Sequence, residues 1–218
     1  MNSINIIIPT RNRLEMLLRT LDSIPKFDFI SITVICDGDM STYQYLLDNA
    51  DREIASFFIP GHHGTVFCRN SVMHDTTDGV LCATDSVIFQ PNAIQDALSV
   101  FNSSFLDDDG VFCFRFDGIG SCTAIPLVGK KFLERYENKK LFCPSYFHFA
   151  CQEISSLCIL LREKHKRNFL VIDENKSIQK IMCCDATYND ARMYKGVDMK
   201  LKCDRESKNI VWGWHHDA

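Results

Sequence analysis

The sequence predicts an α/β fold, a single domain with a mostly parallel central sheet flanked by helices. Three observations predict it. Runs of strand length rich in β-branched residues alternate with stripes of helical period. Those runs are nearly continuous, not alternating with polar residues, as suits strands covered on both faces. Short polar turns follow directly on three of the runs, the place where open parallel sheets bind ligands. The 218 residues, 46% of them hydrophobic, suffice for one sizeable core and are few for two.

The first strand is the run Ile4 to Ile8. After Arg13, Leu14, Leu17, Leu18, Leu21 and Ile24 form a helical stripe, and Pro25 closes it. Ile30 to Ile35 gives a second strand, followed by the turn Cys36-Asp37-Gly38-Asp39 and a helix around Tyr43 to Leu47. A third strand at Ile54 to Ile59 ends at Pro60-Gly61, a helix begins near Val66, and a fourth strand spans Gly79 to Ala83. Beyond Asn92 the pattern predicts a helix from Ala93 to Val100, strands at Val111 to Phe116 and Ser121 to Val128, a helical Lys131 to Tyr136, and an amphipathic helix from Glu153 to Lys164. No repeat or low-complexity linker interrupts the chain.

The charge balance, 24 Lys and Arg against 28 Asp and Glu, excludes a global basic field for a polyanion such as duplex DNA, and leaves a local basic groove open. Eleven cysteines are an odd number for a disulfide framework, and Cys36, Cys82, Cys113 and Cys158 sit in apolar runs as buried thiols do. Reduced thiols and a cytoplasmic location are the expectation. No C-x-x-C pair occurs, and the adjacent Cys183 and Cys184 lack zinc spacing. Pro9 breaks the opening apolar run, which predicts neither signal peptide nor membrane span, and no stretch reaches the ~18 apolar residues a spanning helix needs.

The order of motifs resembles the catalytic domain of the family 2 glycosyltransferases, which have the GT-A (Rossmann-like) fold. Ile6-Ile7-Ile8-Pro9-Thr10-Arg11-Asn12-Arg13 is similar to that family's first strand and turn, and Val34-Ile35-Cys36-Asp37-Gly38-Asp39 to its V-V-D-D-G-S. Gly64-Thr65-Val66-Phe67-Cys68-Arg69-Asn70 is similar to G-x-x-x-A-R-N, Val80 to Pro91 to the strand, D-x-D and strand that follow, and the segment from Gln152 to Arg162 to the helix opened by the family's E-D pair. The resemblance covers residues 4 to 165. It implies one GT-A domain over 1–218, with a nucleotide-binding half to about residue 92 and an acceptor half and C-terminal tail from 93 onward.

Sugar transfer from a nucleoside diphosphate requires a held nucleoside, a neutralised leaving diphosphate and a deprotonated acceptor hydroxyl. The resemblance places Pro9, Thr10, Arg11, Asn12 and Asp37 at the nucleoside, Arg69 reaching back to the nucleotide, and Thr84 and Asp85 at the diphosphate. The alternative for the first two groups is a pair of ordinary turns, and for Arg69 a surface salt bridge. His62 and His63 read as exposed loop residues or pocket lining. The family's metal triplet is Thr84-Asp85-Ser86 here, a single acid. Mn²⁺ or Mg²⁺ held by Asp85 with phosphate oxygens and water is the expected cofactor, with His215 or His216 in the aromatic tail as a compensating ligand. That tail reads equally as simple packing. Asp107-Asp108-Asp109 precedes a strand and reads as a solvated turn.

Glu153 is the candidate general base, its alternative being a helix-start glutamate favoured by the macrodipole; the family's second acid is Ile154 in this chain. Tyr188 to Tyr194, with Asp190 and Arg192, is read as a lid. Together these imply an inverting transferase taking a nucleoside-diphosphate sugar, a UDP-sugar in particular, to an acceptor hydroxyl on a glycan, lipid carrier, protein or modified nucleic acid. The alternative is a catalytically silent nucleotide-sugar-binding module, motivated by the acids absent at Cys36, Ser86 and Ile154. A nucleotidyltransferase is disfavoured, because Pro9-Thr10-Arg11-Asn12 lacks a phosphate-loop glycine.

Overall fold

The computed structural model describes residues 1–49, 54–73, 77–115, 123–181 and 185–214. Its main sheet has seven strands: β1 (Ile4–Thr10), β2 (Ile30–Asp37), β3 (Ile54–Ile59), β4 (Gly79–Cys82), β6 (Val111–Phe114), β7 (Ile125–Gly129) and β8 (Leu170–Ile172), in the order β3-β2-β1-β4-β7-β6-β8. β1 pairs in parallel with β2 and β4, β2 with β3, and β6 with β8, whereas β7 runs antiparallel to both β4 and β6. All strands but β7 therefore point the same way, and their carboxyl ends share one edge. A separate two-stranded sheet joins β5 (Val87–Phe89) to β9 (Ile178–Lys180).

The continuous apolar run of β1 is explained by two cores. Ile4, Ile6 and Ile8 pack with Leu17 and Leu21 of α1 (Leu14–Ser23), with Ile32 and Val34, and with Phe101 of α4 (Ala93–Ser104). Ile7 lies in the other cluster, with Val66 of α3 (Gly64–Ser71), Phe132 of α5 (Lys130–Leu133), and Ile154 and Leu157 of α6 (Gln152–His165). Successive side chains of a strand go to opposite faces, so a strand covered on both faces has no solvent-facing positions for polar residues, and the one polar side chain in the run, Asn5, is buried and accepts from Ser31 and Thr33.

α2 (Met40–Asn49) starts on Asp39, whose Oδ1 accepts from the Thr42 backbone N–H at 3.1 Å and from Ser41 Oγ at 2.8 Å. Its Oδ2 accepts from Asn12 N at 2.7 Å, which ties the turn after β1 to the turn after β2.

Beyond the resemblance, the described residues after 165 include β8, β9 and a long helix α7 (Ala186–Ser207). Tyr188 to Tyr194, read as a lid, lie in the opening turns of α7. Of the three acids read as a solvated turn, Asp109 is 1% exposed, bonded to the guanidinium groups of Arg135 and Arg167. That acid ties the start of β6 to the chain after α5 and the chain after α6 through two structural ion pairs.

Candidate functional site

The carboxyl ends of β1, β2 and β4 open onto a cavity of about 520 Å³. From the end of β1 it is lined by Pro9 and Thr10, from the turn after β1 by Arg11 and Arg13, from the end of β2 by Asp37, from α3 by Thr65 and Arg69, and from the turn after β4 by Thr84, Asp85 and Ser86. A further stretch of wall comes from His148, Phe149, Cys151, Lys180 and the start of α7. Every nucleotide-site residue expected from the sequence lines this cavity except Asn12. Asn12 takes a left-handed backbone conformation (φ 53°) and spends its N–H on Asp39, so it shapes the turn.

Asp37 is 5% exposed and organises the loop before α3. Its Oδ1 accepts from His63 N at 2.8 Å and its Oδ2 from Gly64 N at 2.9 Å, with His62 Nε2 at 3.9 Å. Two glycines make this possible. Gly38 (φ 71°) passes so close to Gly61 O that a Cβ would lie 2.1 Å from it, and Gly64 (φ 84°) approaches Phe147 O, 2.6 Å from where its Cβ would be. Arg11 Nη1 donates to the Asp37 carbonyl at 2.9 Å, and its Nε is buried without a partner among the described residues.

Arg69 is not a surface salt bridge. It is 5% exposed, donates from Nη2 to Ala83 O at 2.8 Å, lies 5.3 Å over the Phe142 ring and leaves its buried Nε unpartnered among the described residues. Burial pulls its pKa down, yet a guanidinium stays charged. A buried cation that lines a cavity and has no ion-paired carboxylate among the described residues is a device for attracting an anion.

Asp85 is the one acid of its triplet and is 5% exposed. Its Oδ2 accepts from Thr10 Oγ1 at 3.0 Å and its Oδ1 from Arg13 Nη1 at 3.5 Å. Burial pushes its pKa up to about 6 against the pull of Arg13 and Thr10. Arg13 also donates to Asp185 at the head of α7, at 2.8 Å from Nε and 2.6 Å from Nη2, so its guanidinium sits between two carboxylates. The sequence reading did not single out Arg13, which belongs to the same turn as Arg11.

No group of three His, Cys, Asp or Glu side chains among the described residues stands ready to hold a metal ion. Both Asp85 oxygens are already engaged, and a cation already occupies the adjoining position as Arg13. The described donor set does not fit a divalent ion by itself, and His215 and His216 lie outside the described residues.

Glu153 is not on the cavity wall. Its carboxylate accepts from Tyr146 Oη at 2.6 Å, from Arg205 Nε at 2.6 Å and Nη2 at 3.1 Å, and from Trp212 N at 2.8 Å. Burial and this carboxylate raise the Tyr146 pKa, which keeps its hydroxyl a donor. An acid whose lone pairs are filled by an arginine, a phenol and an amide has no proton acceptor left for a substrate, and Glu153 instead pins α7 and the tail to α6. The tail is packed as far as Trp214: Trp212 Nε1 donates to Lys140 O at 2.7 Å, and Lys164 Nζ lies 5.5 Å over the Trp214 ring.

The wall around residues 147–149 escaped the sequence reading. Asp198, 2% exposed on α7, accepts from the backbone N–H groups of Phe147, His148 and Phe149 at 3.0, 2.9 and 3.0 Å. Tyr194, one turn earlier, stacks on Phe147 with centroids 3.8 Å apart.

No family model matches the sequence, and no curated protein matches it. Solved structures do. TarS of S. aureus, residues 1–349, superposes with a TM-score of 0.62 at 14% identity, over 82% of this chain and 60% of that one. The fold is GT-A. The same TarS fragment in complex with UDP-GlcNAc gives 0.63 at 12% identity, over 84% of this chain and 59% of that one, and in complex with UDP 0.63 at 13% identity, over 86% and 62%. The chain thus spans about six-tenths of these TarS fragments. Among its described residues no helix is long and apolar enough to cross a membrane.

Proposed function

We propose that this protein is a glycosyltransferase of the family 2 type, moving a sugar from a nucleoside-diphosphate sugar, a UDP-sugar in particular, to an acceptor hydroxyl with inversion. The observation that carries the reading is the convergence of Asp37, Arg11, Arg13, Arg69 and Asp85 on one cavity at the carboxyl ends of the strands, in a fold whose neighbours include TarS bound to UDP and to UDP-GlcNAc. Asp37 would accept from the ring N–H of the base. The three guanidinium groups would draw the diphosphate and stabilise it as it departs with the anomeric C–O bond pair. Attack by the acceptor oxygen on the face opposite the leaving group would give inversion.

A second reading, a module that binds nucleotide-sugar without turning it over, is favoured by one specific observation. The carboxylates on the described cavity wall are Asp37 and Asp85, and both are held in hydrogen bonds, so neither is a ready base for the acceptor hydroxyl.

One experiment separates the two: binding and release of nucleoside diphosphate from a panel of UDP-, GDP- and TDP-sugars, with and without Mn²⁺ or Mg²⁺, for wild type and Asp85→Ala. Release of UDP by the wild type alone supports the transferase, and the dependence on cation reports whether phosphate oxygens complete a metal site. Binding without release across acceptors supports the silent module, and no binding overturns both.

A further inference from the structure

His148 has an unusual arrangement for a ring on a cavity wall. The Thr65 backbone N–H points at its Nδ1 at 3.4 Å, and Thr65 Oγ1 lies 2.9 Å from the same atom. A backbone N–H only donates, so Nδ1 is the acceptor and the ring proton is on Nε2. Burial and the neighbouring His62 bring the His148 pKa down to about 4, which keeps the imidazole neutral. Nε2 is buried and has no partner among the described residues. The loop that carries it is fixed twice, by the three N–H bonds to Asp198 and by the Phe147–Tyr194 stack. The molecule therefore maintains a neutral N–H donor of set tautomer, with nothing among the described residues to receive it. Leaving a buried donor unmade carries a desolvation cost that a ligand's acceptor would remove.

Its neighbours say which acceptor. Arg11, Arg13 and Arg69 already supply charge for a diphosphate, and a neutral imidazole adds none. His148 shares the cavity wall with Asp37, and His62 neighbours both: the His62 ring is 6.2 Å from the His148 ring and its Nε2 3.9 Å from Asp37 Oδ2. A carboxylate acceptor and an N–H donor on the wall of one cavity complement an N–H beside a C=O, the edge that uracil presents. We infer that His148 is a specificity-determining residue whose Nε2–H donates to a ring carbonyl oxygen of the uracil base, after one of the rings around it, His62, Phe149 or Tyr194, gives way. The inference rests on the nucleotide-sugar reading and deepens it.

The test is calorimetric binding of UDP, 2-thio-UDP and 4-thio-UDP to wild type, His148→Phe and His148→Gln, with long-range ¹H–¹⁵N spectra of the wild-type histidines. The spectra should give His148 a bare Nδ1 and a protonated Nε2 whose signal moves on adding UDP. His148→Phe should weaken UDP binding about tenfold, and His148→Gln, which keeps a donor, should recover most of it. One thio-substitution should weaken binding to the wild type and have no effect on His148→Phe, because sulfur is the poorer acceptor. A protonated Nδ1, an unmoved Nε2 signal, or equal UDP affinity in wild type and His148→Phe overturns the inference while the nucleotide reading stands. No UDP binding by the wild type overturns both.

Discussion

The cavity wall made by the turns after β1, β2 and β4 and the wall made by residues 147–151 and the head of α7 are held by different means. The first sits on strand ends whose position is fixed by parallel backbone pairing and by isoleucines buried on both faces of β1. The second hangs on α7, and α7 is attached by carboxylates: Asp185 to Arg13, Asp198 to the amides of 147–149, and Glu153 to Arg205. Distributed apolar contacts fail gradually, whereas a buried charge deprived of its partner is lost at full cost. The second wall should therefore be the fragile one.

Glu153→Ala is the strongest way to break that contrast. It leaves Arg205, Tyr146 Oη and Trp212 N without their acceptor and should cost about 4 kcal/mol, as removal of one member of a buried pair does. In a domain of this size that lowers Tm by roughly 10 °C. Hydrogen exchange should rise across 186–207 and stay slow in Ile4–Ile8; a uniform rise through both would refute the division into two walls.

Asp198→Ala should come next, at about 3 kcal/mol for three backbone donors left unpaired. It should also weaken UDP binding without altering the response to phosphate, a split that calorimetry with the two ligands measures.

Asp85 makes the opposite prediction for the first wall. Its pKa is raised from 3.8 to about 6, so the folded chain holds this proton more tightly than the unfolded chain does. The stability tied to that proton is fully present below pH 3.8 and is lost as pH rises through about 6. Asp85→Asn is permanently neutral. It should match the wild type at pH 4 and be more stable by about 3 kcal/mol at pH 8, read from urea midpoints at the two values, while donor turnover falls. The smallest effect belongs to Thr10→Val, which removes one hydrogen bond to Asp85 and should cost about 1 kcal/mol by the same assay.

The contrast also accounts for how much of the molecule was legible in its sequence. β1 and β2 announce themselves by nearly continuous β-branched runs, and Pro9, Thr10, Arg11, Asp37, Thr84 and Asp85 could be located because strand ends are where such sheets bind, whereas Arg69 on α3 was legible only through the motif resemblance. α7 escaped because its inward positions, Ala191, Tyr194, Asp198, Leu201 and Arg205, keep helical spacing but include an acid and a base, so no apolar period stands out. Glu153 occupied the position of a base by motif, and only the fold brings Arg205, 52 residues later, onto it. His148 carries no signal of its own in one sequence. Its role depends on Thr65 and Asp198, 83 and 50 residues away.

The Arg205–Glu153 pair also sets an order of events during synthesis. The ribosome delivers Glu153 52 residues before the cation that neutralises it, and Asp198 likewise emerges long after the loop it grips. A nascent chain can complete β1 to β4 while the far side of its cavity has no support, so the protein stays unable to enclose a ligand until nearly all of its helical strap has left the tunnel.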